Sequence, residues 1–314
     1  MKPINQPAMA PQIAVVGSLN MDLVLRAPRC ALAGETLLGH DFATHPGGKG
    51  ANQAVACARL GARVAMVGRL GDDGFAAQLR ATLDQAGVDH SEVKTTKGSS
   101  GIAMIVVEDN GQNRIMLAPG ANGCLSAADV RHAAGTIANA ALLICQLEVP
   151  LACVREAFAL ARAARVPILF NPAPAAVLDA DLLDVDYLVV NETEAALISG
   201  LPVGSRAEAE CAAHRLRQAG SRCVLLTLGA DGAIVADLAG TRHFPAFPTT
   251  VVDTTAAGDT FIGGTAAGLL EGMSIDEAVQ LGMAASALCV SRAGAQPSIP
   301  LRSEINPAGA TPRS

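Results

Sequence analysis

The sequence predicts an α/β fold: a Rossmann-like, mostly parallel sheet sandwiched by helices, with a small β-sheet lid. Three observations carry that expectation. Short β-branched runs alternate with Ala- and Leu-rich stretches of helical pattern, the order that builds a parallel sheet covered on both faces. Half of the 314 residues are apolar, enough for a large core. Two pairs of strand-like runs have no helix between them, which sets a second, smaller sheet apart from the first.

Taken in order, Ile13 to Gly17, Val64 to Val67, Leu142 to Gln146, Val166 to Phe170, Leu188 to Val190 and Cys223 to Leu228 are the expected buried strands. The helices between them stop at predictable places: Ala51 to Leu60 before Gly61, Gly74 to Ala86 before Gly87, Leu151 to Ala164 before Val166-Pro167, and Ala207 to Ala219 before Gly220. The exceptions are Met21 to Pro28 with Glu35 to Phe42, and Ser100 to Glu108 with Asn113 to Ala118, the second pair joined by a hairpin signal at Asp109-Asn110-Gly111-Gln112. These four are read as the lid; edge strands of the main sheet are the alternative. After Val235 a hairpin turns around Gly240, and helices Gly258 to Glu271 and Ser274 to Ser291 close the chain. Residues 12–302 form one expected domain with lid strands from about 21–42 and 100–118, flanked by tails at 1–11 and 303–314.

Composition narrows the function. Seven Phe, one Tyr (Tyr187) and no Trp leave too few rings for a surface that stacks single-stranded bases. A net charge of −6 without a Lys/Arg run removes the footprint of nucleic-acid binding. No apolar stretch approaches the roughly 18–20 residues of a membrane span, and the N-terminus has no signal-peptide pattern, so a cytoplasmic protein is expected. Eight cysteines contain no CxxC and no His at metal spacing, so reduced, mostly buried thiols are expected. Thirty-one glycines exceed the usual share of roughly 7% and point to tight turns or to backbone held close to a ligand.

Neither a Walker A loop nor a GxGxxG turn is present. Three other groups carry chemistry. Gly47-Gly48-Lys49-Gly50-Ala51-Asn52-Gln53-Ala54 opens a helix, where backbone amides can bind oxygen ligands; a plain Gly-rich cap with a solvated Lys would read the same. Asp253-Thr254-Thr255-Ala256-Ala257-Gly258-Asp259-Thr260 opens another, and its small residues leave room for an anion against free amides beside the Asp259 carboxylate. An anion hole next to a base is what phosphoryl transfer to an alcohol requires, although an N-cap at Asp253 and a dipole-stabilising Asp259 would also fit locally. Asn191-Glu192-Thr193-Glu194 follows a strand end, where Asn191 and Glu194 could hold Mg²⁺ and phosphate waters, or could simply cap a helix.

Together these segments resemble the PfkB family of carbohydrate kinases, from about Ile13 to Pro300. GGKGANQA and DTTAAGDTF stand in the family's order, supported by Gly17-Ser18-Leu19-Asn20-Met21-Asp22, Gly71-Asp72-Asp73, Gln146-Leu147-Glu148, Asn171-Pro172-Ala173-Pro174, Thr227-Leu228-Gly229 and Arg292 to Ser298. The resemblance implies that Asn20, Asp22, Gly48, Lys49, Asn52 and Glu148 contact sugar hydroxyls. It makes Asp259 the general base, with amides of Ala256, Ala257 and Gly258 as the anion hole. ATP would lie along Asn191, Glu194, Thr227, Leu228, Gly229, Ala230, Asp231 and Gly232, with Mg²⁺. K⁺ would sit beside the anion hole on Asp253, Thr255, Cys289, Arg292, Gly294 and Ser298, several through carbonyls. The lid would close over the sugar and pair with a second subunit's lid in a homodimer.

The expected acceptor is a free pentose, D-ribose at its 5-hydroxyl. Asn and carboxylates pair with sugar hydroxyls, whereas Asp22 and Glu148 would repel a sugar already phosphorylated. Few rings are available to stack a purine. Ile102 and Met104 are expected to cover the sugar's apolar face. Deoxyribose or a nucleoside is the alternative acceptor, and a non-catalytic sugar-binding regulator is a distant one, since Gly258 and Asp259 both stand.

Overall fold

A computed structural model describes residues 12–305. The strands are β1 Ile13–Val16, β2 Asn20–Ala27, β3 Asp41–Gly47, β4 Val64–Leu70, β5 Asp89–Thr95, β6 Gly101–Glu108, β7 Asn113–Ala118, β8 Leu142–Cys145, β9 Ile168–Phe170, β10 Tyr187–Asn191, β11 Cys223–Thr227, β12 Ala233–Asp237 and β13 Gly240–Phe244. The helices are α1 Lys49–Arg59, α2 Gly74–Ala86, α3 Ala127–His132, α4 Ala134–Ala138, α5 Leu151–Ala164, α6 Glu192–Ser199, α7 Arg206–Gln218, α8 Ala257–Leu270 and α9 Ile275–Val290.

Among the described residues the main sheet has nine strands in the order β13-β12-β11-β10-β9-β8-β1-β4-β5, parallel from β11 to β5 and antiparallel at β12 and β13. The period of two along a strand divides its side chains between two cores. On β1, Ala14 and Val16 join Phe158 and Phe170 beneath α5, while Ile13 and Val15 join Val55 and Phe261 beneath α1 and α8. Both faces are therefore apolar, which is why the central strands read as continuous hydrophobic runs. Each fully buried Leu, Ile or Phe contributes about 1.5–3 kcal/mol.

The second sheet has the order β3-β2-β6-β7, with β2 and β6 parallel and the outer pairs antiparallel. The hairpin expected at 109–112 forms: the amides of Glu108 and Gly111 donate to the carbonyls of Gln112 and Glu108. β2 leaves the end of β1 after three residues, so the lid stands directly over the C-terminal ends of the parallel strands.

Several boundaries differ from expectation. The second lid strand runs over Asp41–Gly47 rather than 35–42, because its register is set by pairing with β2, Arg26 to Asp41 through Asn20 to Gly47. It is a polar edge strand with little alternation to mark it. β5 was not expected; with one buried residue, Val93, it carries almost no hydrophobic pattern. Within the tail expected from 303, Ser303 and Glu304 belong to the helical turn Arg302–Glu304, and Ile305 packs with Leu60, Ala267 and Leu281. The rest of that segment and the tail expected at 1–11 lie outside the described residues. Five cysteines are buried, but Cys124 and Cys211 are exposed and Cys30 is half-buried. All eight are free thiols, and burial pushes Cys57 and Cys223 up to about 12. No helix among the described residues is long and apolar enough to cross a membrane.

Candidate active site

Parallel strands open their C-terminal ends on one edge of the sheet, where ligands of α/β folds bind. At that edge β1, β8, β9, β10 and β11 present Ser18, Gln146, Asn171, Asn191 and Thr227. The N-termini of α1 and α8 converge on the same place. Asp259, in the first turn of α8, accepts from Asn52 Nδ2 on Oδ2 at 3.0 Å and from Gln53 Nε2 on Oδ1 at 2.9 Å. Gln296 Nε2 donates to Asn52 Oδ1 at 3.1 Å. The base expected from the sequence is thus buried, 8% exposed, and gripped on both oxygens by adjacent residues of α1.

Glycine makes this approach possible. A Cβ at Gly263 would stand 2.4 Å from that of Ala56 on α1, and one at Gly264 would stand 2.6 Å from the Gly282 Cα on α9. With glycine there, α8 sits against both helices at backbone distance, and Asp259 reaches Asn52 and Gln53.

On the lid side, Glu148 Oε2 accepts from the Ser18 hydroxyl at 2.6 Å, the Lys49 amide at 3.1 Å and Asn20 Nδ2 at 3.3 Å. Asp22 lies over Gly47, where a Cβ would meet its carboxylate at 2.3 Å. Burial, the charge of Glu148 and then that of Asp259 push the Asp22 carboxyl up to about 7. Burial would lower the Lys49 ammonium, but Asp259, Glu148 and Glu194 outweigh it and hold it above the usual lysine range. Gly48 is the N-cap of α1 at φ 90, and a Cβ there would meet the Asn20 nitrogen at 2.6 Å. The expected sugar set, Asn20, Asp22, Gly48, Lys49, Asn52, Glu148 and Asp259, is therefore brought together.

On the other side of Asp259 lies a cavity of about 200 Å³ lined by residues including Lys49, Asn191, Glu194, Thr227, Thr254 and Gly258. Ala256 caps α8 in the left-handed region, φ 60, an uncommon conformation for a residue with a side chain. It aims the first amides of the helix at the cavity. Of the amides expected to form the anion hole, that of Ala257 donates to the Thr254 carbonyl at 3.2 Å, whereas those of Ala256 and Gly258, and that of Asp259 beside them, have no protein acceptor among the described residues. A Cβ at Gly258 would meet nothing within 4 Å.

Asn191 and Glu194 form a reciprocal capping box at the start of α6, so the plainer of the two sequence readings is built. They also line the cavity, and burial pushes the Glu194 carboxyl above its usual range. Of the expected nucleotide run, Thr227 lines the cavity while Leu228, Gly229, Ala230, Asp231 and Gly232 lie outside its lining, in the turn before β12. In the expected cation cluster, Asp253 Oδ1 accepts from the Thr255 amide and hydroxyl, and Oδ2 from the Gly294 amide at 2.9 Å. Burial would raise Asp253, but these three donors hold it below the usual carboxylate range. Cys289 Sγ lies 3.0 Å from Ser298 Oγ and 3.7 Å from the Thr255 carbonyl. The Arg292 side chain pairs with Glu304 at 2.7 Å, and its amide donates to the Cys289 carbonyl at 3.1 Å. No group of three His, Cys, Asp or Glu that could hold a metal occurs among the described residues.

One expectation fails on register. Met21 pairs with Ile102 and Leu23 with Met104, whereas Asn20 and Asp22 pair with Gly101 and Ala103. Paired residues point to the same face. Ile102 and Met104 therefore stand on the face opposite Asp22, and Ala103, Ile105, Ile115 and Leu117 stand on its own. A one-residue difference in strand phase, invisible without the partner strand, decides this. Sequence reading also assigned no role to Ser18, Gln53, Asn122, Gln146, Asn171 or Gln296. Gln53, Gln146 and Asn171 stand inside the motifs, and their polarity in apolar surroundings was the available signal.

The family model for pfkB family carbohydrate kinases matches residues 10–302. A ribokinase of Haemophilus influenzae is 41% identical over 298 residues, 94% of this chain and 97% of the relative. A deoxyribokinase of Salmonella typhi is 36% identical over 298 residues, 94% and 97% respectively. The structure of Arabidopsis thaliana ribokinase complexed with ribose and ATP superposes with a TM-score of 0.87 at 32% identity, covering 95% of this chain and 98% of that one. A carboxylate at the seam between a polar pocket and a helix N-terminus, and these matches over nearly the full length, lead to one conclusion: the chain belongs to the pfkB family of carbohydrate kinases.

Proposed function

We propose that the protein phosphorylates D-ribose at its 5-hydroxyl with ATP, giving D-ribose 5-phosphate and ADP. The observation that carries this reading is the position of Asp259, with Asn20, Asp22 and Glu148 on one side and the free amides of α8 on the other. Ribose offers hydroxyls that Asn20, Asp22, Asn52 and Glu148 accept or donate to in pairs. Asp259 takes the hydroxyl proton as that oxygen bonds to the γ-phosphorus in line; the bond from γ-phosphorus to the β–γ bridging oxygen breaks and its electron pair leaves with ADP. The Gly258 and Asp259 amides and the Lys49 ammonium meet the charge that grows on the phosphoryl oxygens. Ala103, Ile105 and Leu117 of the lid exclude water from the acceptor.

The donor chemistry suits a nucleotide phosphate, since unpaired amides and an open Gly258 face the cavity. Glu194 would hold Mg²⁺ with Asn191 through water, and Mg²⁺ when bound neutralises phosphate charge. A monovalent cation such as K⁺ fits carbonyls around Asp253, Thr255, Cys289, Arg292, Gly294 and Ser298, and would steady the turn that presents the Gly258 amide. Homodimerisation through the lid is supported by Leu25, Phe42, Met104 and Met116, exposed on its outer face.

Deoxyribose is the second acceptor, favoured by the Salmonella relative. ADP release measured with ATP against ribose, deoxyribose, fructose 6-phosphate and nucleosides, with K⁺ or a large organic cation, tests these readings. Ribose is expected to turn over fastest and K⁺ to activate. A nucleoside turning over while ribose fails would overturn the acceptor, and equal rates in both cations would remove the cation site.

A further inference from the structure

Two adjacent amides hold Asp259, and only one belongs to the expected sugar set. Gln53 is completely buried, and the chemistry above gives it no part. Its orientation is forced from behind. Asn171 Nδ2 donates to the Val189 carbonyl at 3.0 Å, so Asn171 Oδ1 faces Gln53 and accepts from its Nε2 at 3.2 Å. The same Nε2 donates to Asp259 Oδ1. Gln53 Oε1 is left as the acceptor, and Gln146 Nε2 at the end of β8 donates to it. Gln146 is itself completely buried, and its Oε1 has no partner among the described residues. Leaving a buried amide oxygen unpaired costs stability, so an apolar side chain would suit that site better unless the donor end is needed.

We propose that Gln53 is a positioning residue for Asp259, its amide aligned by Gln146 and Asn171 so that the carboxylate cannot turn about its Cβ–Cγ bond. With Asn52 on Oδ2 alone the carboxylate could swing; a second donor on Oδ1, from the next residue of the same helix, fixes the lone pair that meets the acceptor hydroxyl. The inference rests on Asp259 acting as the base.

Gln53→Leu, Gln53→Glu, Gln146→Leu and Asp259→Asn are compared with the unaltered protein by turnover, calorimetric ribose affinity and melting temperature. Gln53→Leu is expected to lose roughly 10²-fold in kcat, the size of a misplaced reacting group, with ribose affinity kept. Gln146→Leu touches no reacting atom; it removes one orphaned oxygen but leaves Gln53 Oε1 without its donor, so it is expected to fold with a lower melting temperature and to lose roughly tenfold in kcat. In Gln53→Glu the protonated carboxyl can donate to Asp259 and the ionised one repels it, so its rate relative to the unaltered protein falls as pH rises. A glutamine that served packing alone would lower the melting temperature of Gln53→Leu and leave its kcat per folded molecule unmoved at constant ribose affinity. Unaltered kcat per folded molecule in both leucine variants, or a flat relative pH profile for Gln53→Glu, overturns the positioning role; an inactive Asp259→Asn alongside leaves the base intact. Near-normal turnover in Asp259→Asn removes the base and this inference with it. Should Gln53→Leu not fold, Gln146→Leu decides.

Discussion

Gly47 to Gly50 and Ala256 to Asp259 look alike as sequence, each a start to a helix built of small residues with a charged one, yet their glycines serve opposite ends. In the first, a Cβ at Gly48 or Gly50 would strike the protein's own backbone, Asn20 nitrogen at 2.6 Å and Ser18 nitrogen at 2.5 Å. In the second, a Cβ at Gly258 would meet open space. One motif uses glycine to bring the chain against itself, so that Glu148, Asn20 and Lys49 come into register. The other uses it to leave a helix N-terminus accessible.

Asp259→Asn should break the second motif hardest, lowering kcat by roughly 10²–10⁴ with ribose affinity largely kept. Stopped-time ADP release and calorimetry check it. Because both carboxylate oxygens accept from amides, asparagine also turns one amide NH₂ toward a donor, and a small fall in melting temperature is expected too.

Gly50→Ala should act on folding instead. Overpacking against backbone costs about 1–3 kcal/mol, and a melting temperature lower by roughly 2–4 °C per kcal/mol is the readout. Gly258→Ala should do the reverse. It gains up to about 1 kcal/mol of helix propensity while the new methyl crowds the phosphoryl site, so the melting temperature holds or rises as kcat falls roughly tenfold. If both variants lose stability and keep activity, the contrast between the motifs is wrong.

The smallest effect concerns Asp22. Its folded value of about 7 lies above the ordinary 3.8, so the folded protein binds the extra proton between those values and loses stability as pH rises through that window. Asp22→Asn should flatten the melting-temperature profile over that range. Ribose hydroxyls donate best to the ionised carboxylate, so the KM for ribose should fall a few-fold as pH rises through about 7 in the unaltered protein.

Much of this was legible beforehand because it is local. Runs such as Ile13 to Gly17 and Leu142 to Gln146 announce buried parallel strands through their β-branched, apolar pattern, and Asp109 to Gln112 announces its hairpin through turn chemistry. Asn20, Asp22, Glu148 and Asp259 could be named only through the family resemblance, which the two motifs and the shorter matches around them carry. β3 and β5 were misplaced or missed because edge strands need not be apolar. Ile102 and Met104 were put on the wrong face because phase on a lid strand is set by its neighbours.

By itself, then, the sequence determined the α/β architecture, the family and the residue types gathered at the site, all properties of periodicity and motif. Only the tertiary structure decided which glycines face protein and which face open space, which amides of α8 are free, and which glutamine grips Asp259. Those depend on distances of about 3 Å between segments separated by more than a hundred residues, such as Gln53 and Asp259 at 2.9 Å, and strand or helix periodicity carries no record of them.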